Sequence, residues 1–368
     1  MPTSAPVSPV SVRRFRRWAT ATLLAVYLLI GVGGVVRSTG SGMGCPDWPR
    51  CFGSWVPPTA VSQLPTDYRE VYAGKRKAKN EKLAGYLTKL GMPELAHRIV
   101  NDPAIYQEAV FNPTKTWIEY LNRVLGALIG LFVVGMFLFA WPLRKEHPVL
   151  WWLSGLAVLL TGLQGWIGSV VVSTNLLPGI VTVHMLLALA LVGLLLYVRL
   201  RANAPVNVAF KHQRLAVSLL LLALVLTLVQ VSFGTAVREG IDRAAQTLGE
   251  ANRESWVASL GTVFLRHRSF SWLVLLTGVL GAYLAGRFAR NKTIRTLALA
   301  VIGVLLLNVI TGVALGYAGF PAALQPLHLL LGTLLVGVEF ALTLHLLPTR
   351  RGEVVEKQEI GTKEMALQ

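Results

Sequence analysis

Four polar residues sit at matching places in the two halves of this chain, each just inside the end of an apolar segment. They are Asn122 and His184 in the first half, His267 and His328 in the second. Ionisable residues inside apolar spans are costly to bury and usually face the interior of a helix bundle. Residues on two facing helices can clasp a cofactor between them. Two neutral imidazoles make an axial pair for a low-spin haem iron, and His267 with His328 fits that use. A hydrogen bond from each histidine to a neighbouring helix is the simpler alternative. The first half offers Asn122 in place of an imidazole, and an amide is a poor iron ligand. A haem bound there has His184 as its sole protein ligand and one open face. An open face suits a porphyrin that is itself a substrate better than one that only carries electrons.

Glu119 lies three residues before Asn122 and four before Arg123, so one helix presents all three on neighbouring surface. A carboxylate at the rim of an apolar pocket is suited to act as a base; a salt bridge with Arg123 is the competing use. Arg37, Arg123, Arg238 and Arg268 fall at the outer ends of their helices. Arginine pairs well with carboxylates, which makes them candidate contacts for haem propionates. Ordinary anchoring at the membrane interface is the alternative. The two cysteines lie in Cys45-Pro46-Asp47-Trp48-Pro49-Arg50-Cys51. The oxidising side of a membrane permits a disulfide, either as a staple for a Pro-rich loop or as a redox pair that accepts electrons. Two thiols with no nearby histidine argue against zinc. His97, His147, His212 and His345 lie in loops or at the inner side and read as non-ligands.

The elements that position these residues are apolar helices. The chain is 54% hydrophobic and 14% charged, with a mean hydropathy of +0.56; a soluble protein carries about a quarter charged residues. Several apolar runs reach roughly 20 residues, the length that crosses a bilayer. They are continuous rather than alternating, which excludes a β-barrel. The fold class is an all-α polytopic membrane protein. Eight transmembrane helices are expected near 19–36, 118–140, 149–172, 180–200, 214–236, 268–286, 296–316 and 324–347. They group into an N-terminal four-helix bundle, 19–200, and a C-terminal one, 214–347, joined by a linker at 201–213. Tails at 1–18 and 348–368 flank them. Residues 1–12 are Pro/Ser-rich and, like 350–368, read as disordered.

The formal charge of +17 follows topology. Arg13, Arg14, Arg16 and Arg17 precede the first span, Arg144 and Lys145 follow the second, and Arg350, Arg351, Lys357 and Lys363 follow the last. Basic residues also surround the fourth and sixth connections, whereas the connections near 173–179 and 317–323 carry no Lys or Arg. The positive-inside rule places both termini in the cytoplasm. These scattered arginines give no reason to expect nucleic acid, and the lipid bilayer is the expected surrounding. The first apolar run lacks a small-residue cleavage pattern and reads as a span that is kept.

The halves read as a parallel repeat of four helices. The first helix of each ends in Gly33-Gly34-Val35-Val36-Arg37 or Gly234-Thr235-Ala236-Val237-Arg238. The second opens with Asn122-Arg123 or His267-Arg268, the third holds Thr161-Gly162 or Thr311-Gly312, and the fourth opens with His184 or His328. Weak internal symmetry of this kind is common in membrane folds. Gly126 with Gly130, and Gly312 with Gly316, have the spacing that lets helix backbones approach. The halves differ most between their first two helices, where the first half carries an outer insertion at 38–117. The stretch from Tyr68 to Ile105 is charged and helix-prone, which predicts a small subdomain of short helices with a solvated charged face.

The segment Gly33 to Gly42, the loop Cys45-Pro46-Asp47-Trp48-Pro49 with Cys51, Glu119 to Arg123, His184, His267-Arg268 and His328 together resemble the haem A synthase family. The resemblance covers all eight spans, and the cysteine loop is its most specific part. It implies two four-helix bundles related by pseudo-two-fold symmetry in a bacterial inner membrane. It implies oxidation of a methyl group of haem O to a formyl group, by two hydroxylations and loss of water, to give haem A for cytochrome oxidase. It implies haem b as cofactor on His267 and His328, and a substrate site at Glu119, position 122 and His184. A haem O synthase and cytochrome oxidase assembly factors are the partners it suggests. Two departures stand out. The family's Glu-x-x-His-Arg reads Glu119-Tyr120-Leu121-Asn122-Arg123 here, and the insertion is long; His97 is one candidate for the missing imidazole. On this reading Glu119 takes a proton from the reacting methyl group and electrons leave through the haem on His267 and His328. A di-haem electron-transfer cytochrome and a haem carrier are the alternatives, and Asn122 argues against the first.

Overall fold

The computed structural model describes residues 9–202 and 209–347. The basic tail positions Arg350, Arg351, Lys357 and Lys363, and most of the linker, lie outside the described residues. Among those described, the chain is helical with no strand. Its helices are α1 (Pro9–Ser38), α2 (Tyr68–Lys89), α3 (Pro93–Asn101), α4 (Pro113–Ala140), α5 (Pro148–Ser173), α6 (Pro178–Arg201), α7 (Gln213–Leu248), α8 (Thr262–Phe288), α9 (Lys292–Tyr317) and α10 (Leu324–Leu346). All but α2 and α3 are long and apolar enough to cross a membrane, so the chain is a multi-pass membrane protein.

Local chemistry sets the helix starts. Asn112 caps α4 by accepting from Lys115 N, with Pro113 in the first turn, and Asn291 caps α9 by accepting from Ile294 N. Asparagine satisfies an orphan N–H at such a position, and proline loses no hydrogen bond there. Two spans exceed their expected limits by ten residues or more. Helix α1 starts at Pro9, so residues 9–12 are helical and not disordered; residues 1–8 lie outside the described residues. The early start buries Phe15 and Ala19 and turns Arg13, Arg14 and Arg17 outward. Helix α7 runs twelve residues past the expected end at 236. Val237, Ile241 and Ala244 give that extension an apolar stripe, which packs on Trp256, Leu260, Leu315 and Phe320. Gly249 ends it with φ +74°, donating back to Ala245 O, a conformation that suits glycine.

Helices α1, α4, α5 and α6 form one ring, each packed on the next, and α7, α8, α9 and α10 form another. In each ring the second and fourth helices stand diagonally, so α4 faces α6 and α8 faces α10 across a centre. The first core gathers Phe15, Leu23, Val133, Met136, Ala157 and Leu195, the second Leu220, Val274, Ile294, Leu305 and Leu342. The rings meet where α10 packs on α1 and α6, and α6 on α7. Apolar burial does not drive helix association in lipid, so close fit and interhelical hydrogen bonds carry it. Thr182 and Thr235 hydroxyls pair at 2.8 Å between α6 and α7, and Arg199 Nε donates to Thr20 Oγ1 at 2.6 Å between α6 and α1.

The glycine approach follows expectation in the second ring, where a Cβ at Gly312 stands 3.3 Å from His328 Cε1 and one at Gly316 stands 3.0 Å from Phe264 Cζ, and differs in the first. A Cβ at Gly130 meets nothing within 4 Å, and one at Gly126 only Leu29 at 3.9 Å. A close approach between the rings is at Gly34, where a Cβ stands 3.1 Å from Pro326 Cα and 3.0 Å from Leu329 Cδ2 on α10. Gly34→Val therefore prises the two rings apart. We expect it to destabilise the detergent-solubilised protein by about 1–3 kcal/mol, while Gly130→Ala leaves the thermal midpoint unchanged or raises it. Thermal unfolding of the two variants checks this.

Candidate functional site

His267 near the start of α8 and His328 near the start of α10 face each other across the second ring. Their ring centres are 6.4 Å apart and their planes cross at 74°. A metal–imidazole bond is about 2 Å long, which puts the centres of two axial imidazoles on one metal about 6 Å apart. Thr311 Oγ1 donates to Leu307 O at 2.8 Å and lies 2.9 Å from His328 Nδ1. The hydroxyl therefore accepts from Nδ1–H and leaves the Nε2 lone pair available, the outer contact that fixes a ligand's tautomer. Gln230 Nε2 donates to the main-chain oxygen of His267 at 2.9 Å, and His267 Nδ1 is buried without a protein partner. Each ring lies on a glycine of the adjacent helix: a Cβ at Gly234 or Gly312 stands 3.3 Å from the imidazole Cε1. Spacing, tautomer and donor type all fit an axially ligated haem.

The same end of the first ring is built differently. Glu119 on α4 is 3% exposed. Its Oε1 pairs with Arg123 Nη2 at 2.5 Å, and its Oε2 accepts from Cys45 N at 2.7 Å. The salt bridge open at the sequence level is therefore formed. Arg123 also donates to Cys45 O at 2.9 Å, Asp47 O at 2.5 Å and Arg50 O at 3.1 Å. Thr116 Oγ1 adds a bond to Gly44 O at 2.9 Å, and Cys45 and Cys51 form a disulfide. One turn of α4 thus holds the cysteine loop by its main chain, with the carboxylate inside the knot.

His184 stands diagonally from α4, on α6. Its ring lies beside Gly168 of α5, where a Cβ would be 3.6 Å from Cε1. Gln164 Nε2 donates to the His184 main-chain oxygen at 3.1 Å, as Gln230 does for His267. Its Nδ1 and the Oδ1 of Asn122 are both buried without a protein partner. Unpaired buried polar atoms are rare and call for an explanation; a polar ligand between α4 and α6 supplies one. Gly33 occupies the repeat position of Gly234, and a Cβ there meets nothing within 4 Å. The neighbour that His267 gives Gly234 in the second half has no counterpart at Gly33 in the first.

The remaining candidates divide. Arg37 and Arg238 both pair with Asp242, at 2.8 and 2.6 Å, and Arg238 also bonds Gln325. They bridge α1 and α7 at the junction of the rings. Asp242 carries no local signal; it lies on the part of α7 expected to be a connection. Arg268 is exposed and contacts Tyr317 Oη at 3.3 Å. His97 is exposed on α3 and does not supply the missing imidazole, because the buried face of that helix is Ala96 and Ile99. His212 meets Phe288 edge-on, and His345 bonds its own helix at Ala341 O. One buried carboxylate was not foreseen: Glu339 on α10 accepts from Thr227 Oγ1 of α7 at 3.0 Å.

Fold and site together define a multi-pass helical membrane protein with a facing imidazole pair in one ring and a single imidazole with a buried carboxylate in the other. Residues 16–103 and 101–340 match the model of the COX15-CtaA family, described as cytochrome oxidase assembly protein, and the chain belongs to that family. Similar proteins include the Heme A synthase of Shewanella oneidensis, 25% identical over 321 residues, covering 80% of this chain and 84% of the relative. That of Methylobacterium sp. strain 4-46 is 27% identical over 351 residues, covering 89% and 90%. That of Hyphomonas neptunium is 29% identical over 280 residues, covering 72% and 68%.

Arg123→Ala leaves three loop carbonyls and a buried carboxylate without their shared donor. Removing one partner of a buried pair costs about 3–5 kcal/mol. We expect the loop between Ser38 and Tyr68 to become readily cleaved in limited proteolysis of the oxidised protein, with Arg123→Lys intermediate.

Proposed function

We propose that this chain oxidises a methyl group of haem O to a formyl group, giving haem A, with the chemistry in the first ring and electron removal through the second. The chain is an oxidoreductase in this reading, and haem O is its substrate. The observation that carries it is the asymmetry between the rings: two imidazoles 6.4 Å apart in one, one imidazole with a buried carboxylate in the other.

His267 and His328 would hold haem b, which supplies one-electron transfer when bound. Thr311 fixes the tautomer of one ligand and Gly234 and Gly312 give both rings their beds. His184 would hold the iron of the substrate, and Asn122, a weak ligand, leaves the opposite face open. Glu119 would accept the proton that leaves the reacting methyl group, with water as the source of the incoming oxygen and an external oxidant taking the electrons. Its two oxygens already take bonds from Arg123 and Cys45 N, but an ionised carboxylate has about four lone-pair sites, so acceptor capacity remains. Those two bonds hold the carboxylate in one orientation, which favours a positioned base. The same Cys45 N–H ties the base to the disulfide, so the pair stands close enough to the site to be a brace for it or an electron acceptor.

The two rings, 19–200 and 214–347, correspond in this reading to pseudo-symmetric bundles, with 38–117 inserted in the first. The basic residues at the ends away from the cysteine loop support both termini in the cytoplasm of a bacterial cell and the loop outside its inner membrane. A haem O synthase is the implied source of substrate, and cytochrome oxidase assembly factors the implied recipients of product.

Glu119→Gln should lower haem A formation by roughly 100-fold or more, measured by extracting and separating the porphyrins from a host that supplies haem O. Normal haem A from that variant would remove Glu119 from the chemistry. Asn122→His should offer the substrate iron a second imidazole. The high-spin signal of the substrate haem then converts to low spin, read by electron paramagnetic resonance of the two-haem protein.

A further inference from the structure

The insertion does not carry a merely solvated charged face. Helix α2 lies across the cysteine-loop end of α5 and bonds to it. Asn80 is fully buried and its Nδ2 donates to Ser173 O at 2.8 Å, while Lys79 Nζ donates to Ser169 O at 3.2 Å. A second tie runs from Asn175 Nδ2 to Ala104 O at 2.7 Å. Arg76 is 3% exposed, pairs with Glu108 at 2.8 Å and donates to Ile105 O at 2.9 Å. Burial pulls the Arg76 guanidinium down from its ordinary range and pushes the Glu108 carboxyl up. Such a pair fixes geometry more than it adds stability. It sets the register of α2 above the first ring.

That register brings Lys79 to the turn of α5 that borders His184. Ser169, whose carbonyl it bonds, follows Gly168, the residue beside the His184 ring. The charges of this mouth pair unequally. Arg76 has Glu108 and Arg123 has Glu119, whereas Lys79 has no carboxylate partner among the described residues. Partial burial, then the nearby Arg123 and Arg76 charges, hold its ammonium below the usual lysine range. Lys79 is thus the cation of this group that is held by a main-chain carbonyl and not by a carboxylate. A porphyrin ligated by His184 carries two propionates, and carboxylates turn away from the apolar interior, where an ionised group costs several kcal/mol.

We propose that α2 roofs the pocket of the first ring and that Lys79 receives a propionate carboxylate of the porphyrin bound there. This rests on the reading of that ring as the substrate site. It gives the insertion a binding role: the roof supplies charge where the first ring has lost one of its imidazoles.

The test uses the full-length protein carrying haem on His267 and His328, titrated with ferric protoporphyrin IX or with its dimethyl ester and followed by visible difference spectra. Losing one charge-assisted hydrogen bond predicts about a 10-fold weaker affinity of Lys79→Ala for the free acid. Lys79→Arg should stay near wild type, and the dimethyl ester should bind wild type and Lys79→Ala alike. Unchanged affinity of Lys79→Ala for the free acid, or an equal loss for the ester, overturns the propionate contact and leaves the proposed function standing. A wild-type protein that binds no second porphyrin removes the substrate site and this proposal together.

Discussion

A charge carried into the end of an apolar bundle must find partners there, and the structure around Glu119 follows from that constraint. The carboxylate sits on a membrane helix with 3% of its surface exposed. Arg123, one turn on, neutralises it, and Cys45 N takes its second oxygen. Arg123 then has donors to spare, and the carbonyls of Cys45, Asp47 and Arg50 use them. A Pro-rich loop is thereby folded onto the helix end, its cysteines joined, beside the pocket between α4 and α6. Burial of one carboxylate thus organises loop, disulfide and pocket mouth together.

The second ring shows what the first has given up. Both use a glycine as the bed for an imidazole and a glutamine to hold the histidine's main chain: Gly168 and Gln164 for His184, Gly234 and Gln230 for His267. In the second ring the diagonal partner is a histidine at ligand spacing. In the first it is Asn122, with open space beside Gly33. In the proposed reading, a common frame with one ligand fewer gives a holding site and a site where an iron face is accessible. Among the described residues, α2 packs on α5 of the first ring, the ring with the single imidazole.

Much of this was legible in the text because membrane burial makes polar residues conspicuous. The eight spans follow from apolar length, the Glu119–Arg123 contact from a spacing of one helical turn, and the His267–His328 pairing from the matching places of the two residues in the repeat. What was hidden depends on partners far apart in sequence. Asp242 meets Arg37 across 205 residues, on a stretch of α7 whose polarity hides its stripe of Val237, Ile241 and Ala244. Arg76 and Asn80 looked solvated because charge on a helix-prone segment usually is; their burial depends on Glu108 and on the end of α5. Gly126 and Gly130 had the spacing of a contact, yet α1 and α10 meet at Gly34, whose partner Pro326 lies in the other half.

The central claim is a division of labour, with substrate porphyrin on His184 and a retained haem on His267 and His328. The most direct measurement is the porphyrin content of purified His184→Ala expressed with a source of haem O. The account predicts that haem b stays bound with its low-spin spectrum while haem O and haem A disappear from the extract. Haem A made at the wild-type level by that variant, or haem b lost with haem O retained, would contradict it.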